Sequence, residues 1–260
     1  MKLFKVDSGH YYTDGGAMMG VNPWALWGKS EPTDERRRIR LALDLLLIVG
    51  QGRVILVDSG IGNRLNEKQE KIYRPSEFIL EESLADLGFK AADVTDVILT
   101  HLHFDHAGGL ISAYPDGERA TFPKAQLWIQ KTEWEMAKNP DGLNQAAYNY
   151  HQQLQPLEDK VKINLVEGDA SIAPGVKVKR TGGHSVGSQI VEIEAEGGFY
   201  IYPADIIPTL FHLPLAITSA YDVNRKETYL AKQYIHQTLK EKGGKLLFNH
   251  DNQHWEYSLI

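Results

Sequence analysis

Apolar positions fall along the chain in short runs, and several of these runs end on a polar residue able to do chemistry. RVILVDSG ends at Asp58, DVILTHLHFDH runs into His101, VKVKRTGGH into His184, FYIYPAD into Asp205 and KLLFNHD into His250. Short β-branched-rich runs closed by turn residues read as buried strands. The pattern therefore predicts strand ends that converge, as they do where layered α/β folds build a site. Helical segments are expected between the strands, over 75–87, 131–138, 144–157 and 224–242. In the last of these, Asn224 and Glu227 have capping-box spacing, Leu230, Ala231, Tyr234, Ile235 and Leu239 form an apolar face, and Gly243-Gly244 ends the helix. Hairpins are expected at Gly50-Gln51-Gly52 and at Glu196-Gly197-Gly198. Two mixed sheets packed face to face, with helices outside, would use every one of these elements.

Composition narrows the class. The chain has 260 residues, 42% of them hydrophobic, with 28 Lys+Arg against 34 Asp+Glu. No Pro/Gly/Ser-rich linker or repeat divides it, so one domain over 1–260 is expected. A net charge of -6, with no basic run beyond Arg36-Arg37-Arg38, argues against nucleic acid as a partner. The N-terminus lacks the apolar core of a signal peptide, and a cytoplasmic location is expected. The longest apolar stretch, 41–49, is interrupted by Asp44 and is far short of a bilayer span, so no membrane is expected either. There is no cysteine, so metal chemistry would have to use His, Asp and Glu.

Those residue types cluster at His101-Leu102-His103-Phe104-Asp105-His106, followed by Ala107-Gly108-Gly109. In an extended strand end His101 and His103 project to one side, while Asp105 and His106, where the chain turns, face a second point. One motif can thus serve two cations, with His184, Asp205 and His250 completing the set. The expected assignment is His101, His103 and His184 on one metal, Asp105, His106 and His250 on the other, and Asp205 between them. His10, His151, His236 and His254 stand alone and read as ordinary surface or core residues.

The series HLHFDH, TGGHSVGS, YPAD and FNHD resembles the metallo-β-lactamase-fold superfamily of dinuclear metal hydrolases, over about residues 39 to 251. That resemblance implies an α+β fold, a four-layer αββα sandwich with two divalent metals at one edge. Zinc is the expected metal, with iron, manganese and cobalt as alternatives that a His/Asp site accepts. It also matches VDSGIG to a loop whose aspartate, here Asp58, supports a ligand histidine. The segments DGGAMMGVNPWALW, DERRRIRLALDLLLI, THLHFDHAGGL and TGGHSVGSQ further resemble the YtnP-like group of quorum-quenching N-acyl-homoserine lactonases. This implies a small-molecule lactone or ester substrate and a homodimer.

The implied reaction is attack of a bridging hydroxide on the lactone or ester carbonyl. Two divalent cations with Asp105 and Asp205 leave about +2 of charge to stabilise the hydroxide at neutral pH. Asp105 is the expected proton carrier as well as a ligand. The better-known acyl-homoserine lactonases place a tyrosine shortly after the bridging aspartate, whereas here Asp205 is followed by Ile206, Ile207 and Pro208. His212 or Tyr221 is the expected replacement donor. Met18, Met19, Trp24, Trp27 and Phe104 are expected to line the substrate pocket. The competing readings are another hydrolase of the same superfamily, acting on organophosphate or phosphodiester, thioester or β-lactam, and a metal-binding scaffold without turnover. A diiron oxidoreductase is disfavoured, because that relative has Glu where this chain has His103.

Overall fold

In the computed structural model, which describes residues 1–259, strands β1 (Lys2–Asp14), β2 (Arg38–Gly50), β3 (Arg53–Val57) and β4 (Asp96–Ile98) come first. Helices α1 (Gly15–Met19), α2 (Trp24–Trp27), α3 (Glu67–Tyr73) and α4 (Leu80–Asp86) lie between them. Next come α5 (Phe104–Ala107), a small hairpin of β5 (Ile111–Tyr114) and β6 (Gly117–Ala120), β7 (Gln126–Gln130), α6 (Lys131–Lys138), α7 (Tyr150–Gln153) and β8 (Ile163–Val166). The remainder is β9 (Ala170–Ala173), β10 (Val176–Arg180), β11 (Gln189–Ala195), β12 (Gly198–Tyr202), α8 (Arg225–Lys242), β13 (Lys245–Leu247) and β14 (Glu256–Ser258).

The strands form two six-stranded sheets, in the orders β1-β2-β3-β4-β7-β8 and β14-β13-β12-β11-β10-β9. Both are mixed: β3, β4, β7 and β8 pair in parallel, as do β12 and β13, and the other neighbours are antiparallel. The near-continuous apolar run of β2 follows from burial on both faces. Leu46 and Ile48 meet Val176, Val178, Val191 and Ile193 of the second sheet, while Leu45 and Leu47 share a cluster with Leu80 and Leu84 of α4 and Trp134 of α6. On the far side of the second sheet, Phe199, Ile201 and Leu246 pack against Ala231, Ile235 and Leu239 of α8. Each fully buried side chain of this kind stabilises the fold by roughly 1.5–3 kcal/mol. The result is the expected α+β, four-layer αββα arrangement. Among the described residues no helix is long and apolar enough to cross a membrane.

The hairpin at 50–52 is a two-residue turn, since Gly50 pairs with Arg53 and both Gln51 and Gly52 have positive φ, at 54° and 73°. Three local expectations need correction. The segment 75–79 is not helical: Ser76 binds β1 through its backbone N–H to the His10 carbonyl and through Oγ to the His10 N–H, each at 2.8 Å. Only half of the segment 144–157 is helical, because the Asp141 carboxylate gathers the N–H groups of Leu143 and Asn144 into a turn, leaving α7 and one 3₁₀ turn at Gln155–Leu157. At the start of α8 only half of the capping box forms. Asn224 caps Lys226 and Glu227, but the Glu227 carboxylate accepts from the Gly183 N–H at 3.1 Å. That bond ties the helix to the loop carrying His184.

Candidate metal centre

Five loops at the ends of strands from both sheets meet at one edge. The chain after β3 carries Asp58, which has a left-handed backbone (φ 63°) and packs under α5. Gly109 makes this approach possible, since a Cβ there would lie 2.0 Å from the Ser59 carbonyl oxygen. The loop after β4 carries His101 and His103, and α5 itself carries Asp105 and His106. His184 follows β10, and Asp205 follows β12 just after Ala204, another non-glycine residue with positive φ (46°). Such backbone strain is costly and persists where the surroundings enforce it. His250 follows β13 and is docked on β2, its Nδ1 lying 2.7 Å from the Ala42 carbonyl oxygen.

The seven expected donor side chains, Asp58 apart, are brought together. His101, His103 and His184 form one compact group, Asp105, His106 and His250 a second, and His101, His106 and Asp205 a third that spans the two. Asp205 faces both ways: Oδ2 is 3.3 Å from His184 Nε2, while Oδ1 is 3.3 Å from His106 Nε2 and 3.2 Å from His250 Nε2. The Asn249 amide steadies it with a 2.8 Å bond to Oδ1.

Hydrogen bonds on the outer ring nitrogens decide which way the lone pairs point. The Nδ1 atoms of His106, His184 and His250 face acceptors, namely Asp58 Oδ2 at 2.9 Å, Asp222 Oδ1 at 3.0 Å and the Ala42 carbonyl. Each therefore carries the proton on Nδ1 and turns the Nε2 lone pair inward. Thr100 does the same for His101: its hydroxyl donates to Asp58 and lies 3.1 Å from His101 Nδ1. His103 instead offers Nδ1, 3.1 Å from His184 Nε2. The buried Nε2 atoms of His101, His106 and His250 have no hydrogen-bond partner among the described residues. Converging buried lone pairs are costly unless satisfied, and a divalent cation accepts them all, so this donor set fits a metal.

Electrostatics point the same way. Burial, together with neighbouring imidazoles, holds His101 and His103 well below the usual histidine range. Burial also opposes charge on His106, but Asp105, Asp205 and Asp58 outweigh it and push that imidazole well up. Burial resists ionisation of Asp205, yet His250, His106 and His184 hold it well below the usual carboxylate range. His101 and His103 are thus held neutral and Asp205 ionised, the forms that bind metals, whereas a cation on His106, His184 or His250 would displace the proton that the neighbouring carboxylates favour there.

A cavity of about 790 Å³ opens over this edge. Of the expected pocket residues, Met18, Phe104 and Tyr221 line it. Met19 and Trp27 do not; they are buried beside Met18 and Phe104 in the apolar cluster behind the wall. Trp24 meets Trp27 edge-on, ring centroids 4.4 Å apart, and is half-exposed. His212 is also elsewhere: both its nitrogens are engaged within the fold, by Thr209 Oγ1 at 2.8 Å and the Met18 carbonyl at 3.1 Å. Tyr221 lines the cavity with its hydroxyl 2.8 Å from Thr13 Oγ1, and a further phenol, Tyr11, also lines it and donates to Asp105 Oδ2 at 2.7 Å. Sequence reasoning missed Tyr11, Asp222 and Asn249. Tyr11 sits in a mixed polar strand, and Asp222 precedes the N-cap of α8 where an aspartate reads as a turn residue.

Comparison with known proteins agrees with this geometry. Residues 44–259 match the sequence profile of the Metallo-beta-lactamase superfamily. An N-acyl homoserine lactonase of Bacillus cereus is 32% identical over 113 residues, 44% of this chain and 38% of the relative, so the match spans well under half of that protein. A probable metal-dependent hydrolase from Staphylococcus aureus superposes with a TM-score of 0.89 at 29% identity, covering 99% of this chain and 91% of the other. An N-acyl homoserine lactone hydrolase, with N-hexanoyl-L-homoserine bound at its catalytic metal centre, superposes at 0.74 with 21% identity, covering 97% and 94%. With its αββα layers and its histidine-aspartate edge, this chain belongs to the metallo-β-lactamase superfamily.

Proposed function

We propose that the protein is a dinuclear metal-dependent hydrolase that opens lactone or ester bonds, with N-acyl-homoserine lactones as its substrates. The observation that carries this reading is the pair of donor groups joined through Asp205 at the floor of a partly apolar cavity. The lactonase relatives support the choice of substrate. His101, His103 and His184 would hold one cation, Asp105, His106 and His250 the other, with Asp205 shared and zinc as the metal. When bound, such a pair supplies Lewis acidity and makes water acidic enough to ionise near neutral pH.

The chain's own residues do the rest. Asp105 lines the cavity, accepts a proton from the water whose oxygen bonds to the carbonyl carbon, and returns it to the alkoxide that leaves as the bond between that carbon and the ester oxygen breaks. The products are one carboxylic acid and one alcohol, joined in a single molecule when the substrate is a lactone. Tyr11 supplies the phenolic donor missing after Asp205: its hydroxyl stands beside Asp105 and can turn to the carbonyl oxygen where negative charge develops. Asp58, Thr100 and Asp222 fix the imidazole tautomers. Met18, Tyr73, Phe104 and Leu143 give the acyl part an apolar wall.

The test is proton release by the metal-quantified protein supplied with short- and long-chain N-acyl-homoserine lactones, with Asp105→Asn as control. Rapid ring opening that is lost in the control is the expected result. Two bound metals without ring opening would remove the lactone assignment and turn the screen to phosphoesters and thioesters.

A further inference from the structure

One buried carboxylate takes no part in the chemistry above. Glu133, near the start of α6, has no exposed surface. Its four acceptor positions are filled: Oε1 accepts from the Leu102 N–H at 3.0 Å and the Tyr148 hydroxyl at 2.8 Å, and Oε2 from the Ser185 hydroxyl at 2.7 Å and the Gly187 N–H at 2.9 Å. A carboxylate fully paired in this way is bound tightly to its surroundings. The partners are informative. Leu102 stands between His101 and His103, and Ser185 directly follows His184. Gly187 must be glycine for the helix to come this close, since a Cβ there would lie 2.4 Å from Glu133 Cβ and 2.5 Å from its backbone nitrogen. Tyr148 also stands edge-on to His103, ring centroids 5.1 Å apart.

Glu133 therefore clamps the His101–His103 loop of the first sheet to the His184 loop of the second. The other donor group is fixed by different residues: Asp105 by Tyr11, His106 by Asp58 and His250 by the Ala42 carbonyl. We infer that Glu133 is a positioning residue for one metal position only, setting the spacing of the His101, His103 and His184 donors. This rests on the dinuclear reading above.

Glutamine at this position preserves size but not acceptor capacity. The hydroxyls of Ser185 and Tyr148 can reverse and accept from an amide. The N–H groups of Leu102 and Gly187 cannot, so one of them always faces an NH₂ donor. Supporting groups of this kind alter metal affinity about 10- to 100-fold.

The experiment is a zinc titration of the chelator-stripped full chain against a competing chromophoric chelator, together with the Tm of the stripped protein. Wild type is expected to show two binding steps. In Glu133→Gln one step should weaken about 10- to 100-fold, the same step that His103→Ala loses, while the other step stays near wild type; the stripped Tm falls, because one buried N–H loses its acceptor. Tyr148→Phe, which leaves both backbone donors satisfied, should keep both steps. If Glu133→Gln does not fold, Ser185→Ala carries the test, with a smaller weakening of the same step. Two unchanged steps, or two steps weakened by the same factor, overturn the selective role of Glu133 while leaving the dinuclear reading intact. A wild-type chain that takes up no zinc overturns both.

Discussion

Tyr11 and Asp105 are 94 positions apart in the chain and joined by a 2.7 Å hydrogen bond. The first strand thereby brings a phenol to the centre of a site whose other members lie at strand ends in the rest of the molecule. Tyr11→Phe removes only the hydroxyl, and the ring keeps its edge contacts with Phe104 and Tyr73. Metal content and Tm should hold, KM should change little, and kcat for lactone opening should fall roughly 10²-fold, as for loss of one donor to a developing oxyanion. Steady-state kinetics on metal-quantified protein decide it, and an unchanged kcat removes Tyr11 from the reaction.

Asp105 and His103 should separate proton transfer from metal binding. Asp105→Asn keeps a ligand oxygen but not a base, so activity should drop by about 10²- to 10⁴-fold with much of the metal retained. His103→Ala should lose metal and activity together. Equal metal loss in the two variants would show that Asp105 is a ligand and nothing more.

Asp222 touches His184 only through the outer nitrogen, at 3.0 Å. Asp222→Ala leaves that N–H without its acceptor and frees the ring to rotate. Zinc affinity should fall by about 10- to 100-fold, read by chelator competition, with little change in the Tm of metal-free protein.

Acid stability should depend on His212. Burial, reinforced by the Lys232 charge, depresses this imidazole to about 4. Its contribution to stability is complete above the unfolded value of 6.5 and is lost as pH falls toward 4, because the unfolded chain binds the proton first. In metal-free protein the loss of unfolding free energy between those limits should be smaller in His212→Gln by about 3 kcal/mol at most. Denaturant titrations across that range test it, and parallel slopes in the two proteins would exclude His212 as the source.

Much of the centre is legible in the sequence because its donors are chemically dense and sit at the ends of apolar runs. His101, His103, Asp105 and His106 announce themselves within six residues, and His184, Asp205 and His250 each close a strand. The groups that orient them are harder to see. Asp222, Glu133 and Tyr11 are single residues in unremarkable contexts, and their partners lie 38, 52 and 94 positions away for His184, Ser185 and Asp105. The strand β1 is equally quiet, since KLFKVDSGHYYTD mixes polar and apolar positions and its register shifts between Asp7 and His10. Trp24, Trp27 and Met19 misled because large apolar side chains mark a core as readily as a pocket, and only the close packing behind Phe104 distinguishes the two.

The docking of His250 on β2 has a consequence in time. The Ala42 N–H also donates to the His250 carbonyl at 3.2 Å, and the Asp44 N–H to the Asn249 carbonyl at 2.9 Å, so this segment is stitched to a strand made about two hundred residues earlier. On a ribosome, the His101, His103 and His184 donors are all present long before His250 leaves the exit tunnel. Until that last stitch is made, β2 waits with open backbone groups and the second donor group lacks a member. The two donor groups are therefore complete at different points of synthesis, the residues of the first all made by position 184 and those of the second only at position 250.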